Sequence, residues 1–289
     1  MNHHSLPAVL ITALLAGPLA GPLAAAAAPA ATSLEADVAA SLAVPPKSFP
    51  LTSKLVLPYF EVDTNDPGGT TVLYGIRNES TASIEVDIKY FEIDSPFAPQ
   101  STERVTLTAK QIKTVNIRDV PNLEIDPDGF KRGYVKFEVV GGAGVLAGDF
   151  FRVDPDDNFA SGYRLVNADP GNSADERCSI FTFRFLRGGV FSGGTRIYYW
   201  LDMATLPSPN TIAYSVYNEA GTLLTIGTLP NTDRVASKID VEQLLTGAAG
   251  TLNAGAIEFQ FTGGVVGHVA GAINASGRFS VGFEGVCRE

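Results

Sequence analysis

Histidine is almost absent from this 289-residue chain: His3 and His4 stand at its start, and His268 is the only one beyond them. Catalysis of the Ser-His-Asp kind would have to use His268, which sits among small residues in VVGHVAG, and no G-x-S-x-G elbow presents a serine. The Walker loop, the G-x-G-x-x-G fingerprint and H-E-x-x-H are absent as well. Cysteine is limited to Cys178 and Cys287, which excludes a multi-thiolate metal centre. Charge is scarce too, at 18% of residues against about a quarter in an average soluble protein. Basic clusters are lacking and the formal net charge is −10, so nucleic acid and anionic membranes are excluded as partners. No long stretch beyond the N-terminus carries helical periodicity.

Residues 1–31 hold no Asp, Glu, Lys or Arg. The apolar run Leu6–Leu15, then Pro18, Pro22 and Pro29 among alanines, has the order of a cleaved signal peptide. Cleavage is expected between Ala24 and Ser33. Residues 32–53, with Pro45, Pro46 and Pro50, are expected to be a linker. The chain is therefore expected to be exported, to the periplasm, the cell surface or the medium, with no membrane span after processing. In such a compartment Cys178 and Cys287 are expected to form a disulfide.

From Lys54 onward the period is two. In SIEVDIKY, Ile84, Val86, Ile88 and Tyr90 alternate with Glu85, Asp87 and Lys89, as in an antiparallel strand with one wet face. Tyr134–Val139 repeats the pattern, with Val135, Phe137 and Val139 on one side. An internal repeat is visible. GYVKFEVVGG from Gly133 matches GAIEFQFTGG from Gly255, TTVLY from Thr70 matches GTRIYY from Gly194, and Asp119-Val120 matches Asp240-Val241, all at offsets near 122. The expected fold is all-β: two tandem antiparallel sandwiches of immunoglobulin-like or fibronectin-III-like size, at 54–167 and 178–289, joined by a linker at 168–177. A membrane β-barrel alternates as well, but these strands carry charge on the face it would turn to lipid.

Three acidic loops mark the first repeat: Asp63-Thr64-Asn65-Asp66, Asp126-Pro127-Asp128-Gly129 and Asp154-Pro155-Asp156-Asp157-Asn158. Carboxylates clustered in turns suit calcium, which takes six to eight oxygens, and Asp128, Asp154, Asp156 and Asp157 are the expected ligands. Turn chemistry alone also accounts for such loops. No other cofactor is implied. In Tyr198-Tyr199-Trp200 a strand puts Tyr198 and Trp200 on one face and Tyr199 on the other, and Tyr199 is the candidate for stacking on a sugar. Asn78-Glu79-Ser80 and Asn274-Ala275-Ser276 fit the glycosylation sequon. The function expected is a non-enzymatic interaction or structural protein whose partner is a protein or a glycan. The alternatives are a calcium- or carbohydrate-binding module and a hydrolase working with acidic residues alone.

Overall fold

The computed structural model describes residues 52–93, 98–154, 159–168, 177–187, 194–202, 212–229, 235–261, 265–273, 280–283 and 286–287. For 154, 159–161, 177–178, 202 and everything beyond 261 it describes the backbone alone. The expected signal peptide and most of the linker after it lie outside the described residues. Thr52 bridges to Leu146, and the Ser53 carbonyl accepts from the Val139 amide.

The fold is all-β, and every strand pairing is antiparallel. The first half contains β1 (Lys54–Asp63), β2 (Thr71–Asn78), β3 (Ile84–Glu92), β4 (Ser101–Leu107), β5 (Ile112–Asn116), β6 (Phe130–Gly141), β7 (Leu146–Asp154), β8 (Phe159–Arg164) and β9 (Val166–Asn167). The second contains β10 (Arg177–Cys178), β11 (Ile180–Leu186), β12 (Gly194–Asp202), β13 (Ile212–Tyr217), β14 (Leu223–Leu229), β15 (Ala236–Asp240), β16 (Ala254–Phe261), β17 (Val265–Ile273), β18 (Ser280–Phe283) and β19 (Val286–Cys287). They form four sheets: sheet I, β5-β2-β7-β8; sheet II, β4-β3-β6-β1-β9; sheet III, β15-β12-β17 with both β10 and β18 on β17; and sheet IV, β14-β13-β16-β11-β19. Among the described strands none of the sheets closes into a barrel.

Adding ten to the strand numbers of sheets I and II gives the main path of sheets III and IV. The matched sequence blocks fall on equivalent strands, β2 with β12 and β6 with β16. Gly133 and Gly255 show why those blocks share a glycine. Phe60 lies over Gly133 and Phe185 over Gly255, and a Cβ at either site would collide with the carbonyl oxygen of Phe91 or Tyr217. One match slips by three residues. Asp240 stands at the N-cap position of the 3₁₀ turn Val241–Leu244, its carboxylate held by Arg196, and the residue at the N-cap of the equivalent turn Ile117–Asp119 is Asn116 rather than Asp119. Both Asn and Asp suit that position, so the dipeptide match aligned the wrong one.

The alternation in β3 and β6 follows the expected faces. Ile84, Val86, Ile88 and Tyr90 are buried together with Val135 and Phe137, and Tyr74 from sheet I meets Phe137 edge-on at 5.0 Å. In the second half Ile197, Tyr199 and Leu201 of sheet III pack with Phe181, Phe183, Ile257 and Phe259 of sheet IV. The two halves also pack on each other. Phe49–Glu289 forms one compact unit, and Tyr198, Trp200, Val235 and Ala236 belong to the core of the first half. β1 is consequently buried on both faces, which is why LVLPYFEV reads as an almost continuous apolar run.

Candidate functional site

Where the halves meet, β1 carries Glu61, the single acidic residue within that run. Its register partner on β6 is Arg132. The carboxylate is buried and all its capacity is used. Oε2 accepts from Tyr59 Oη at 3.0 Å and from Arg132 Nε at 2.9 Å, while Oε1 accepts from Arg152 Nη2 at 3.2 Å and Lys238 Nζ at 2.9 Å. Arg152 comes from β7 and Lys238 from β15, so three strands of the first half and one of the second converge on a single side chain. Burial works against the charge, but Lys238, Arg152 and Arg132 outweigh it and hold the Glu61 carboxyl well below the usual range. The same burial and the neighbouring carboxylate push the Tyr59 phenol far up.

Aromatic rings surround the ion cluster. Tyr198 stacks on Tyr59 at 6.0 Å and meets Tyr163 edge-on at 5.5 Å. Trp200 packs near Tyr134, and the Lys136 ammonium sits 5.0 Å from its ring. Arg196 at the rim binds Asp240 through Nε at 2.8 Å.

Two of the three acidic loops of the first half close on arginines. Arg132 donates to Asp126 at 2.7 Å and to both oxygens of Asp128 at 2.9 and 2.7 Å, which lowers the Asp128 pKa. Arg118 reaches into the 63–70 loop and donates to the carbonyls of Asp63 (2.6 Å), Asp66 (2.9 Å), Gly69 (2.9 Å) and Thr70 (3.1 Å). The guanidinium thus occupies a cradle of carbonyl oxygens of the sort that a hard cation takes in a binding loop. Asp63 turns its own carboxylate back to the amides of Asn65 and Asp66. Of the expected calcium ligands, Asp128 is therefore engaged by Arg132. Asp154 ends β7 with its side chain outside the described residues, and Asp156 and Asp157 lie outside them entirely. Among the described residues no three His, Cys, Asp or Glu side chains gather as metal ligands.

Tyr199 is 1% exposed, held edge-on against Phe261 at 5.2 Å inside the second half. Its ring offers no open face for a sugar, because the alternation that separates it from Tyr198 and Trp200 turns it into the core between sheets III and IV. Asn78 is buried as well. Its amide donates to the carbonyls of Ala82 (2.7 Å), Leu107 (3.0 Å) and Thr108 (3.1 Å), so this sequon serves the fold; Asn274 lies outside the described residues. Cys178 pairs with Val266 in sheet III and Cys287 with Phe181 in sheet IV, their sulfurs again being outside them.

Glu61, Arg132, Arg152, Arg118 and Lys238 were not among the expected site residues. The signal was present for two of them: Glu61 interrupts LVLPYFEV and Arg152 interrupts FFRV, each a charge inside an apolar strand. The partners came from strands far away in sequence and could not be paired by pattern alone.

No protein-family model matches the chain, and neither a curated protein nor a solved structure matches it at a significant level.

Proposed function

We infer that the chain is a secreted, periplasmic or surface-exposed protein without catalytic activity, an interaction or structural element built from two immunoglobulin-like sandwiches after a removed signal peptide. One observation carries this reading: the titratable side chains that converge between the halves are consumed in binding the halves together. A general acid must hold a proton near neutral pH, whereas Glu61 is kept ionised by three cations. Asp126 and Asp128 are ion-paired to Arg132.

The strand order supports the sandwich reading. β1-β6 in one sheet and β2-β7 in the other interlock as strands B-E and C-F do in an immunoglobulin-like sandwich, with β8 in the place of G. The departure is that β3 and β4 extend the β6 side before β5 returns beside β2. A Cys178–Cys287 bridge would tie sheet III to sheet IV where the chain changes sheet at Ser179.

Calorimetric titration of the exported chain with calcium, alongside a glycan array, tests the reading against a calcium- or carbohydrate-binding module. No saturable binding is expected in either. Saturable binding of calcium or of one glycan class would replace it.

A further inference from the structure

Most buried polar atoms in this fold are paired, and the exceptions gather at one place. The hydroxyls of Tyr163 and Tyr198 and the indole N–H of Trp200 are buried with no hydrogen-bond partner in the protein. All three lie where β12 meets the first half. Away from that junction only Thr182 and Glu242 hold such an atom among the described residues. A buried polar atom left unpaired costs about 1–3 kcal/mol, so a native fold that gathers several marks a place where something else supplies the bond.

The surroundings say what that is. Tyr163 meets Tyr198 edge-on at 5.5 Å, and Tyr198 stacks on Tyr59, which is hydrogen-bonded to Glu61. Arg152 reaches the same Glu61, and Arg196 stands two residues before Tyr198 on the same face of β12. Both guanidiniums act on the Tyr198 hydroxyl, and they lie close enough to repel each other. The carboxylates beside them are already engaged, Glu61 by Arg152, Arg132 and Lys238, and Asp240 by Arg196. Burial pushes the Tyr198 phenol up, so its hydroxyl keeps its proton and can donate. The lining thus offers donors in a positive field, and donors of that kind bind most strongly to an anion.

Residue type keeps the neighbouring surface low. On β17 the register partners of Arg196 and Trp200 are Gly271 and Gly267, and Gly271 is paired in turn with Gly282 of β18. Register partners share a face of a sheet, so three positions on the face that carries Arg196, Tyr198 and Trp200 have no side chain.

We propose that a small monovalent inorganic anion of halide size binds between the halves, held by the hydroxyls of Tyr163 and Tyr198 in the field of Arg152 and Arg196. Its ligands come from β7 and β8 of one half and from β12 of the other, so it binds only when the two are joined. This goes beyond the proposed function and does not depend on it.

Thermal melts of the exported chain in sodium chloride and sodium bromide, against sodium gluconate at equal ionic strength, test the proposal. Tm is expected to climb with halide concentration above the gluconate curve, as binding to the folded state alone requires. Anomalous scattering from crystals grown in bromide is expected to place an ion between the Tyr163 and Tyr198 oxygens. Tyr198→Phe and Tyr163→Phe each remove one oxygen from the site, and each is expected to lose most of the halide-dependent shift while still melting cooperatively. Halide and gluconate curves that coincide overturn the proposal. So does ordered water at the phenols with no anomalous signal, or a pair of variants that keep the full shift. If a variant does not fold, the bromide peak in the wild-type crystal decides.

Discussion

Glu61 is the residue on which both halves depend. Its replacement by alanine leaves Arg152, Arg132 and Lys238 facing each other without their common anion, and removing one partner of a buried ion pair costs about 3–5 kcal/mol. For a chain of this size that lowers Tm by roughly 10 °C, readable by calorimetry. The pH dependence has a definite sign. The folded-state pKa of Glu61 lies below its ordinary value of 4.5, so its contribution is complete above about pH 4.5 and is lost as pH falls toward the folded value. Thermal melts from pH 7 downward are expected to show stability dropping in acid, with a shallower drop in Glu61→Gln; parallel profiles would show that Glu61 is not the group responsible. Gly255 is the second sensitive residue. Valine there would push Phe185 off the strand and collide with the Tyr217 carbonyl, an overpacking expected to cost about 1–3 kcal/mol or more. The matching substitution at Gly133 should behave alike, and a neutral result at both would remove the physical reason given for the repeated glycine.

β12 is the element that joins the two halves. Ile197, Tyr199 and Leu201 serve the second core while Tyr198 and Trp200 serve the first, so Trp200→Ala is expected to cost about 3–5 kcal/mol and to expose Lys136 and Tyr134 of the other half. Amide exchange that speeds up in β6 as well as in β12 would be the signature; a change confined to the second half would contradict the shared core. The period-two alternation of β3, β6 and β12 was legible in the sequence because side-chain direction along a strand depends only on parity. The choice of which face meets solvent was not legible, since it depends on what the other half covers: Lys136 reads as a wet residue in KFEV and lies instead over Trp200. The acidic loops illustrate the same limit. DTND and DPDG look like cation loops, and the cations that fill them are Arg118 and Arg132, supplied from 48 to 55 residues away in the first case and 4 to 6 in the second. Tyr199 could be assigned a face but not a depth.

For the molecule as a whole, a core shared between the halves predicts a single cooperative transition. Calorimetry of the intact chain should show one peak, with the calorimetric enthalpy equal to the van't Hoff enthalpy; two resolved peaks would separate the halves. The cysteines make a further whole-chain prediction. A bridge closing about 110 residues adds roughly 4–5 kcal/mol in the loop-entropy model, and denatured, non-reduced protein should yield no reactive thiol, whereas two thiols per chain would refute the bridge. Burial of β1 on both faces has one more consequence, and it concerns timing. Glu61 waits for Lys238, 177 residues later in the chain, and the Tyr59 ring waits for Tyr198. While the chain is being made or threaded N-terminus first, the first half can assemble its strands but cannot cover the Tyr59 and Glu61 side of β1. Folding that depends on such distant partners is slow, so the first half stays loosely closed until the second has arrived, and a chain exported as proposed would remain easy to thread until its last third is through.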